Sequence, residues 1–257
     1  MNLKAEIIKS LKLQKEQFGD DLYTGLHVPK FEKKEHPAPE KIFSPPVQPA
    51  KPATQPKLTG PHYPTPEIVA ASATIDDLRK NICNCMKCSL GSTRKNFVFG
   101  EGNPNARVMV IGEGPGADED LQGKPFVGRA GQLLTDILKA IKFSRDEVFI
   151  ANIVKCRPPA NRTPYDSEIH ECRPYLVRQI EIIKPSFILC LGSTAVQALL
   201  ERKGTLGSFR KKVFDIYGAQ MMVTFHPAAL LRNPGWKRDT WEDVQAFRKL
   251  YDDKFPS

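Results

Sequence analysis

Residues 107–126 read RVMVIGEGPGADEDLQGKPF, and the meaning of this stretch decides the fold. Arg107 to Ile111 is an apolar, β-rich run of strand length. It breaks into Gly112-Glu113-Gly114-Pro115-Gly116, where helix and strand are both disfavoured. A strand that spills into a glycine turn sets backbone N–H groups at the carboxyl edge of a sheet, where α/β folds bind ligands. Asp118, Glu119 and Asp120 follow, then Phe126, an aromatic of buried character. Taken alone, the segment fits an ordinary β–loop–helix connection equally well, because glycine turns after strands are common.

The flanking sequence resolves that ambiguity. Gly131 to Ile141 places leucine and isoleucine at helical spacing, and Val148 to Val154 is a second strand. Asp166 to Lys184 reads as a helix stopped by Pro185. Phe187–Leu191 and Met221–Phe225 are further strands, and Ser193–Glu201 and Thr240–Tyr251 further helices. Strands alternating with helices of this length predict an α/β fold with a parallel sheet covered on both faces. No internal repeat is visible.

Upstream the character changes. Pro29 to Pro66 holds 11 of the 22 prolines of the chain, too little apolar content to offset the ordering entropy, and reads as a disordered linker. Leu3, Ile7, Leu11 and Phe18 lie at near-helical spacing among lysines, the pattern of a marginal helix on a tail or, less often, of a partner-binding amphipathic helix. Folded structure is expected from Thr74-Ile75-Asp76-Asp77, an N-cap with an acidic first turn. Residues 1–73 are thus a proline-rich extension and 74–257 the folded domain.

Composition narrows the function classes. With 257 residues there is room for one domain of about 180 residues plus an accessory segment. No apolar run approaches the roughly 20 residues that span a bilayer, and the N-terminus lacks the pattern of a signal peptide. A cytoplasmic monomer without membrane contact is expected. The formal net charge of +9 favours polyanionic partners, nucleic acid first.

Six cysteines without a secretion signal argue for metal binding or chemistry rather than disulfides. Cys85 and Cys88 form C-x2-C, and Cys156 and Cys172 form a wide pair downstream. Four thiolates from two separated loops can enclose a [4Fe–4S] cluster or a zinc ion, and the wide second spacing leans towards iron–sulfur. Cys83 is an alternative to Cys85, and Cys190, inside an apolar strand, behaves as a small core hydrophobe.

These motifs together resemble the iron–sulfur (family 4) uracil-DNA glycosylases: GEGPG with its acidic run, GKPFVGRAGQLL, NIVKCRPPANR with the later Cys172, and FHPAALLR. The resemblance runs from about Cys85 to Tyr251. It implies a three-layer α/β/α fold with a central four-stranded parallel sheet, and it assigns a structural [4Fe–4S] cluster to Cys85, Cys88, Cys156 and Cys172.

It also implies the site. Phe126 would offer an aromatic face to a flipped base. Asn152 would read uracil, its amide oxygen taking N3–H and its NH2 donating to O4, a pattern cytosine reverses. His226 would donate to O2 as the base leaves as an anion. Gly112, Glu113 and Gly114 bring backbone close to the base. Leu230, Leu231 and Arg232 would wedge into the minor groove. The water-activating Asp of the better-known uracil glycosylases is replaced by Gly114, and their thymine-excluding aromatic by Gly116. Glu119 is therefore the candidate for ordering the attacking water or guarding the 5-position. Without the resemblance, Asn152 reads more often as a satisfied turn former and His226 as a cap or core residue.

The expected activity is hydrolysis of the N-glycosidic bond of deoxyuridine in DNA, opening base-excision repair, and a partner of the N-terminal extension would then be a repair or replication protein. Two other classes compete: a non-catalytic or covalently uracil-trapping iron–sulfur DNA binder, and a nucleotide-binding enzyme using the glycine turn. The second lacks a Lys-Ser/Thr phosphate cradle. The covalent branch uses a histidine in an inserted basic loop, and only His170, without an insertion, lies between Asn152 and Cys172. Arg157, Arg162, Arg173, Arg210, Lys211, Lys212, Lys237 and Arg238 are the expected phosphate contacts.

Overall fold

A computed structural model describes residues 63–256. The amphipathic segment from Leu3 to Phe18, and the proline-rich stretch up to residue 62, lie outside the described residues.

The first helix precedes the expected start near Ile75. Thr65 caps α1 (Pro66–Ala71) by accepting the Ile68 N–H, with proline at the first position, where its missing donor costs nothing. The end of α1 is anchored by the Arg178 guanidinium, which donates to the Ser72 carbonyl at 2.8 Å. Thr74 and Asp77 then form a reciprocal capping box that opens α2 (Ile75–Ile82). The short α3 (Leu90–Thr93) follows the first cysteines.

The sheet begins at β1 (Glu101–Gly102) and continues with β2 (Val108–Gly112), α4 (Ala117–Gln122), α5 (Arg129–Ala140) and β3 (Phe149–Asn152). The long α6 (Asp166–Ile183) leads to β4 (Phe187–Leu191), α7 (Ser193–Leu200) and α8 (Leu206–Phe209). The chain closes with β5 (Phe214–Ile216), β6 (Ala219–Thr224), α9 (Pro227–Arg232) and α10 (Lys237–Lys254). Strand order is β1-β3-β2-β4-β6-β5.

The central four strands, β3, β2, β4 and β6, are parallel. The expected four-stranded sheet is therefore its centre, and β1 and β5 extend it as antiparallel edges. Runs of two and three residues are too short to show any alternation, which is why neither edge is legible beforehand.

β2 is buried along its whole length, and its side chains alternate between two cores. Met109 and Ile111 join Ile188, Cys190, Leu176 and Ile180 on one face. Val108 and Val110 join Leu134, Leu138, Phe187 and Phe247 on the other. Cys190 is thus a core residue, as its apolar strand implied. The two filled faces make a three-layer α/β/α molecule. Among the described residues no helix is long and apolar enough to cross a membrane.

Candidate active site

β3 and β4 leave β2 on opposite sides, so the connections out of the parallel strands diverge above its carboxyl end and leave a crevice there. A cavity of 590 Å³ occupies that crevice. Its walls include Glu113, Gly114, Glu119, Phe126, Asn152 and His226, so residues from four separate segments meet in one place. Gly112 lies directly beneath. A Cβ there would come within 2.5 Å of Phe126 Cζ and 2.7 Å of Asn152 Oδ1, so only glycine lets the ring and the amide pack together. Parallel register pairs Gly112 with Asn152.

Phe126 is held in an unfavourable backbone conformation, with φ of +53°, in the left-handed region that bulky residues avoid. Three features hold it there. The Arg145 guanidinium donates to the Pro125 carbonyl at 2.9 Å and the Phe126 carbonyl at 3.1 Å. Gly131 packs so closely that a Cβ would collide with the Phe126 carbonyl. The Glu119 carboxylate accepts the Val127 and Gly128 N–H groups at 2.9 and 3.0 Å, and the Gly116 N–H at 3.0 Å. Glu119 lines the cavity as expected, yet three backbone donors already occupy its oxygens. Arg145 carries no local sequence signal and was not anticipated.

His226 ends the connection after β6 and caps α9. Its Nδ1 accepts the Ala228 N–H at 3.2 Å, and Pro227 starts the helix. An Nδ1 that accepts leaves the proton of neutral imidazole on Nε2. Burial, with Arg232 close by, holds the pKa of His226 down to about 4, so the ring is neutral at physiological pH. Its ring lies 5.5 Å from that of Phe126.

Among the described residues three buried polar side-chain atoms have no protein partner: Asn152 Oδ1, His226 Nε2 and Arg173 Nε. Two of the three face the same cavity, an acceptor and a donor beside an aromatic ring. Buried polar atoms are rarely left unmatched, so the pair marks a place for a ligand with a complementary edge. Asn152 is itself held from behind: Lys155 Nζ donates to the Asn152 carbonyl at 2.9 Å and to Gln179 Oε1 at 2.6 Å.

The family model of the uracil DNA glycosylase superfamily matches residues 99–250. The type-4 uracil-DNA glycosylase of Archaeoglobus fulgidus is 40% identical over 192 residues, 72% of this chain and 96% of the relative. Pyrobaculum aerophilum separates two branches. Its type-4 uracil-DNA glycosylase is 46% identical over 181 residues (67% of this chain, 92% of the relative). Its type-5 uracil-DNA glycosylase is only 31% identical over 193 residues (62% and 85%). This chain is a type-4 member of the uracil-DNA glycosylase superfamily.

In this type-4 chain the wedge segment divides. Leu230 is 1% exposed and turned into the protein, whereas Leu231 is 40% exposed. Leu230, expected in the wedge, is therefore buried, and of the three residues Leu231 and Arg232 are the exposed ones. On α9, residues 227 and 230 share the inner face at helical spacing and 231 points away. Several of the expected phosphate contacts already have protein partners. Arg162 is bonded twice to Glu168, Arg173 is paired with Glu201, and Arg210 is 11% exposed in a buried pair with Asp243. Lys211 and Arg238 both reach Glu242 on the surface. His170 projects into solvent from α6 with 85% of its side chain exposed and does not line the cavity.

The four cysteines expected as ligands come to one region. Arg94 bridges two of the segments, donating to the Cys85 carbonyl and to Cys156 Sγ at 3.3 Å. Tyr175 Oη lies 3.0 Å from Cys85 Sγ, and the Lys155 N–H donates to Cys172 Sγ at 3.2 Å. Burial pushes the Cys156 thiol up to about 12, with the charges of Cys88 and Cys85 adding to it, and Cys172 is raised by burial and by Cys156. The sulfurs thus feel one another, although among the described residues no three His, Cys, Asp or Glu side chains close to single-metal spacing. Cys83 stands apart, its Sγ against the Lys80 carbonyl.

Proposed function

We propose that this protein is a uracil-DNA glycosylase that hydrolyses the N-glycosidic bond of deoxyuridine in DNA and starts base-excision repair. The observation that carries the reading is the pair of unmatched buried atoms, Asn152 Oδ1 and His226 Nε2, in one cavity beside Phe126. Uracil offers N3–H and O4 on one edge and O2 next to them. A flipped uracil stacked on Phe126 would give N3–H to Asn152 Oδ1 and accept Nδ2–H at O4. Cytosine has an unprotonated N3 and an amino group there, so both contacts turn repulsive.

His226 then acts at the other side of the base. As the glycosidic bond breaks, electrons flow into the ring and charge gathers on O2. A neutral Nε2–H aimed at O2 bonds more strongly to the developing anion than to the ground-state carbonyl, which is what lowers the barrier. The sugar passes through an oxocarbenium-like state that water captures. Glu119 is assigned here to positioning: its three backbone bonds hold the Phe126 loop. No side chain is given the role of general base.

Cys85, Cys88, Cys156 and Cys172 would hold the [4Fe–4S] cluster. The donor set fits: four thiols with mutual charge effects, and N–H groups directed at the sulfurs from Lys87 and Lys155. When bound, the cluster supplies a covalent cross-link between the α2–α3 segment, the loop after β3 and α6.

The test is excision from an oligonucleotide carrying one uracil, read as strand cleavage after alkali. Asn152→Asp abolishes one donor and should lower the rate at least about a hundredfold with the melting temperature retained. His226→Ala should cost on the order of 10²–10³ in kcat. An intact strand that shifts on a native gel would make the protein a binder, and a shifted band surviving denaturation would make it a covalent trap.

A further inference from the structure

The turn between α9 and α10 carries an aromatic group that the reaction does not use. Trp236 lies on the rim of the cavity and is 40% exposed. It is not loose. Its indole stacks on the Phe225 ring at 4.9 Å with an interplanar angle of 18°, and the same ring takes the Arg210 guanidinium at 4.4 Å. Arg210 is fixed by Asp243 at 2.7 Å and by the Asp239 carbonyl at 3.0 Å, and Asp243 also accepts the Thr224 hydroxyl at 2.8 Å. A buried ion pair therefore holds Phe225, and Phe225 holds Trp236 with part of its surface in solvent.

The surroundings say what that surface faces. Leu231 and Trp241 are also large exposed hydrophobics, and Arg232, Lys237 and Arg238 are interleaved with them. Exposed aromatics among cations are the make-up of single-strand nucleic-acid sites, where bases stack on rings while cations follow phosphates. We propose that Trp236 is a stacking platform for the base of an unpaired nucleotide neighbouring the uracil; this rests on the glycosylase reading of the adjacent cavity. Bases in a duplex are already stacked on their neighbours, so the platform contributes where the strand is single. The site is thereby biased towards uracil in single-stranded or locally opened DNA.

The chain contains two tryptophans, so Trp241→Phe leaves Trp236 as the sole indole reporter. Titrating that protein with a uracil-free single strand should quench its fluorescence, and the same sequence as duplex should quench it far less. Trp236→Ala should weaken single-strand binding roughly five- to a hundredfold and duplex binding by less than about twofold, and Trp236→Phe should restore most of the loss. Absence of quenching, or equal weakening of both forms, would overturn the proposal and leave Trp236 as packing for Phe225. Should the alanine variant not fold, the quenching of the Trp241→Phe protein still decides. Excision by the unaltered protein is scored separately, so failure of the glycosylase reading shows as uncut uracil DNA whatever Trp236 does.

Discussion

At the scale of single residues, His226 carries the sharpest consequence. Histidine in a flexible chain titrates near 6.5, whereas burial and Arg232 hold this one at about 4. Excision should therefore show no acid limb near pH 6.5; protonation of His226 should slow it only as the pH approaches about 4. The sign for stability follows from the same shift. Between pH 6.5 and 4 the unfolded chain binds a proton that the folded chain does not, so folding weakens as pH falls through that window and gains nothing above it. At about 1.4 kcal/mol per pKa unit, the loss amounts to a few kcal/mol. Thermal melts across that window, compared with His226→Gln, isolate the contribution; equal slopes for the two proteins would contradict it. Single-turnover excision from pH 5 to 8 gives the companion measurement, and a drop centred on 6.5 would mean that the imidazole is charged in the working site.

At the scale of elements, the site depends on how α4 and α5 grip the loop between them. Phe126 sits at φ of +53° because Arg145, Glu119 and the bare face of Gly131 hold it there. Arg145→Gln removes the fork that joins the Pro125 and Phe126 carbonyls, and with it the means of keeping the ring over the cavity. We expect about a tenfold or greater fall in kcat with a smaller change in KM, alongside roughly 1–3 kcal/mol of destabilisation. A variant that lost stability but kept kcat would show the fork to be only structural. The contrast with what the sequence reveals is instructive. Strand and helix order and the glycine turn were legible because periodicity and turn chemistry are local, whereas Phe126, Asn152 and His226 were singled out only through the family resemblance. Arg145 was not, since its partners lie about twenty residues away along the chain. Glu119 was the candidate for ordering water because Gly114 stands where an Asp is usual. Its bonds to the Gly116, Val127 and Gly128 N–H groups could not be read beforehand, because two of the three partners lie beyond the end of α4. Leu230 was placed in the wedge by the resemblance, which names the segment and not its inner and outer faces, and only the phase of a six-residue helix separates it from Leu231. Arg210 was counted as a phosphate contact because a carboxylate thirty-three residues further on cannot be seen from a run of basic residues.

At the scale of the whole molecule, two long-range features make predictions. The formal charge of +9 overstates the DNA-binding surface, because Arg162 and Arg210 are spent on the buried carboxylates of Glu168 and Asp243 and Arg173 is paired with Glu201. Arg157, Lys212, Arg232 and Lys237, and Arg238 at 90% exposure beside Glu242, would give about four or five phosphate contacts. The slope of log affinity against log salt should then be near −4, and a flat response would remove DNA from the partners. The second feature is the way the cysteine segment braces the cavity. Asp120 on α4 accepts the Lys95 N–H at 2.8 Å, and Asn96 donates to the Asp120 carbonyl at 2.8 Å, so the segment beyond Cys88 holds the helix that carries Glu119. Ser89 donates to Glu168 at 2.9 Å, and Glu168 in turn holds Arg162 in the cavity wall. Both struts begin within eight residues of Cys88, in a segment that the proposed cluster would fix. Purified protein should accordingly carry about four iron atoms per chain with a brown charge-transfer colour. Oxidative bleaching followed by chelation should lower the melting temperature, expose Lys87, Arg94 and Lys95 to trypsin, and reduce excision in parallel, because metal binding and folding are coupled. Cys156→Ser should reproduce that pattern, whereas Cys83→Ser, outside the ligand set, should leave iron content and protease resistance unchanged. One zinc per chain in place of iron would overturn the cofactor, and bleaching without new tryptic sites would show that the struts stand without it.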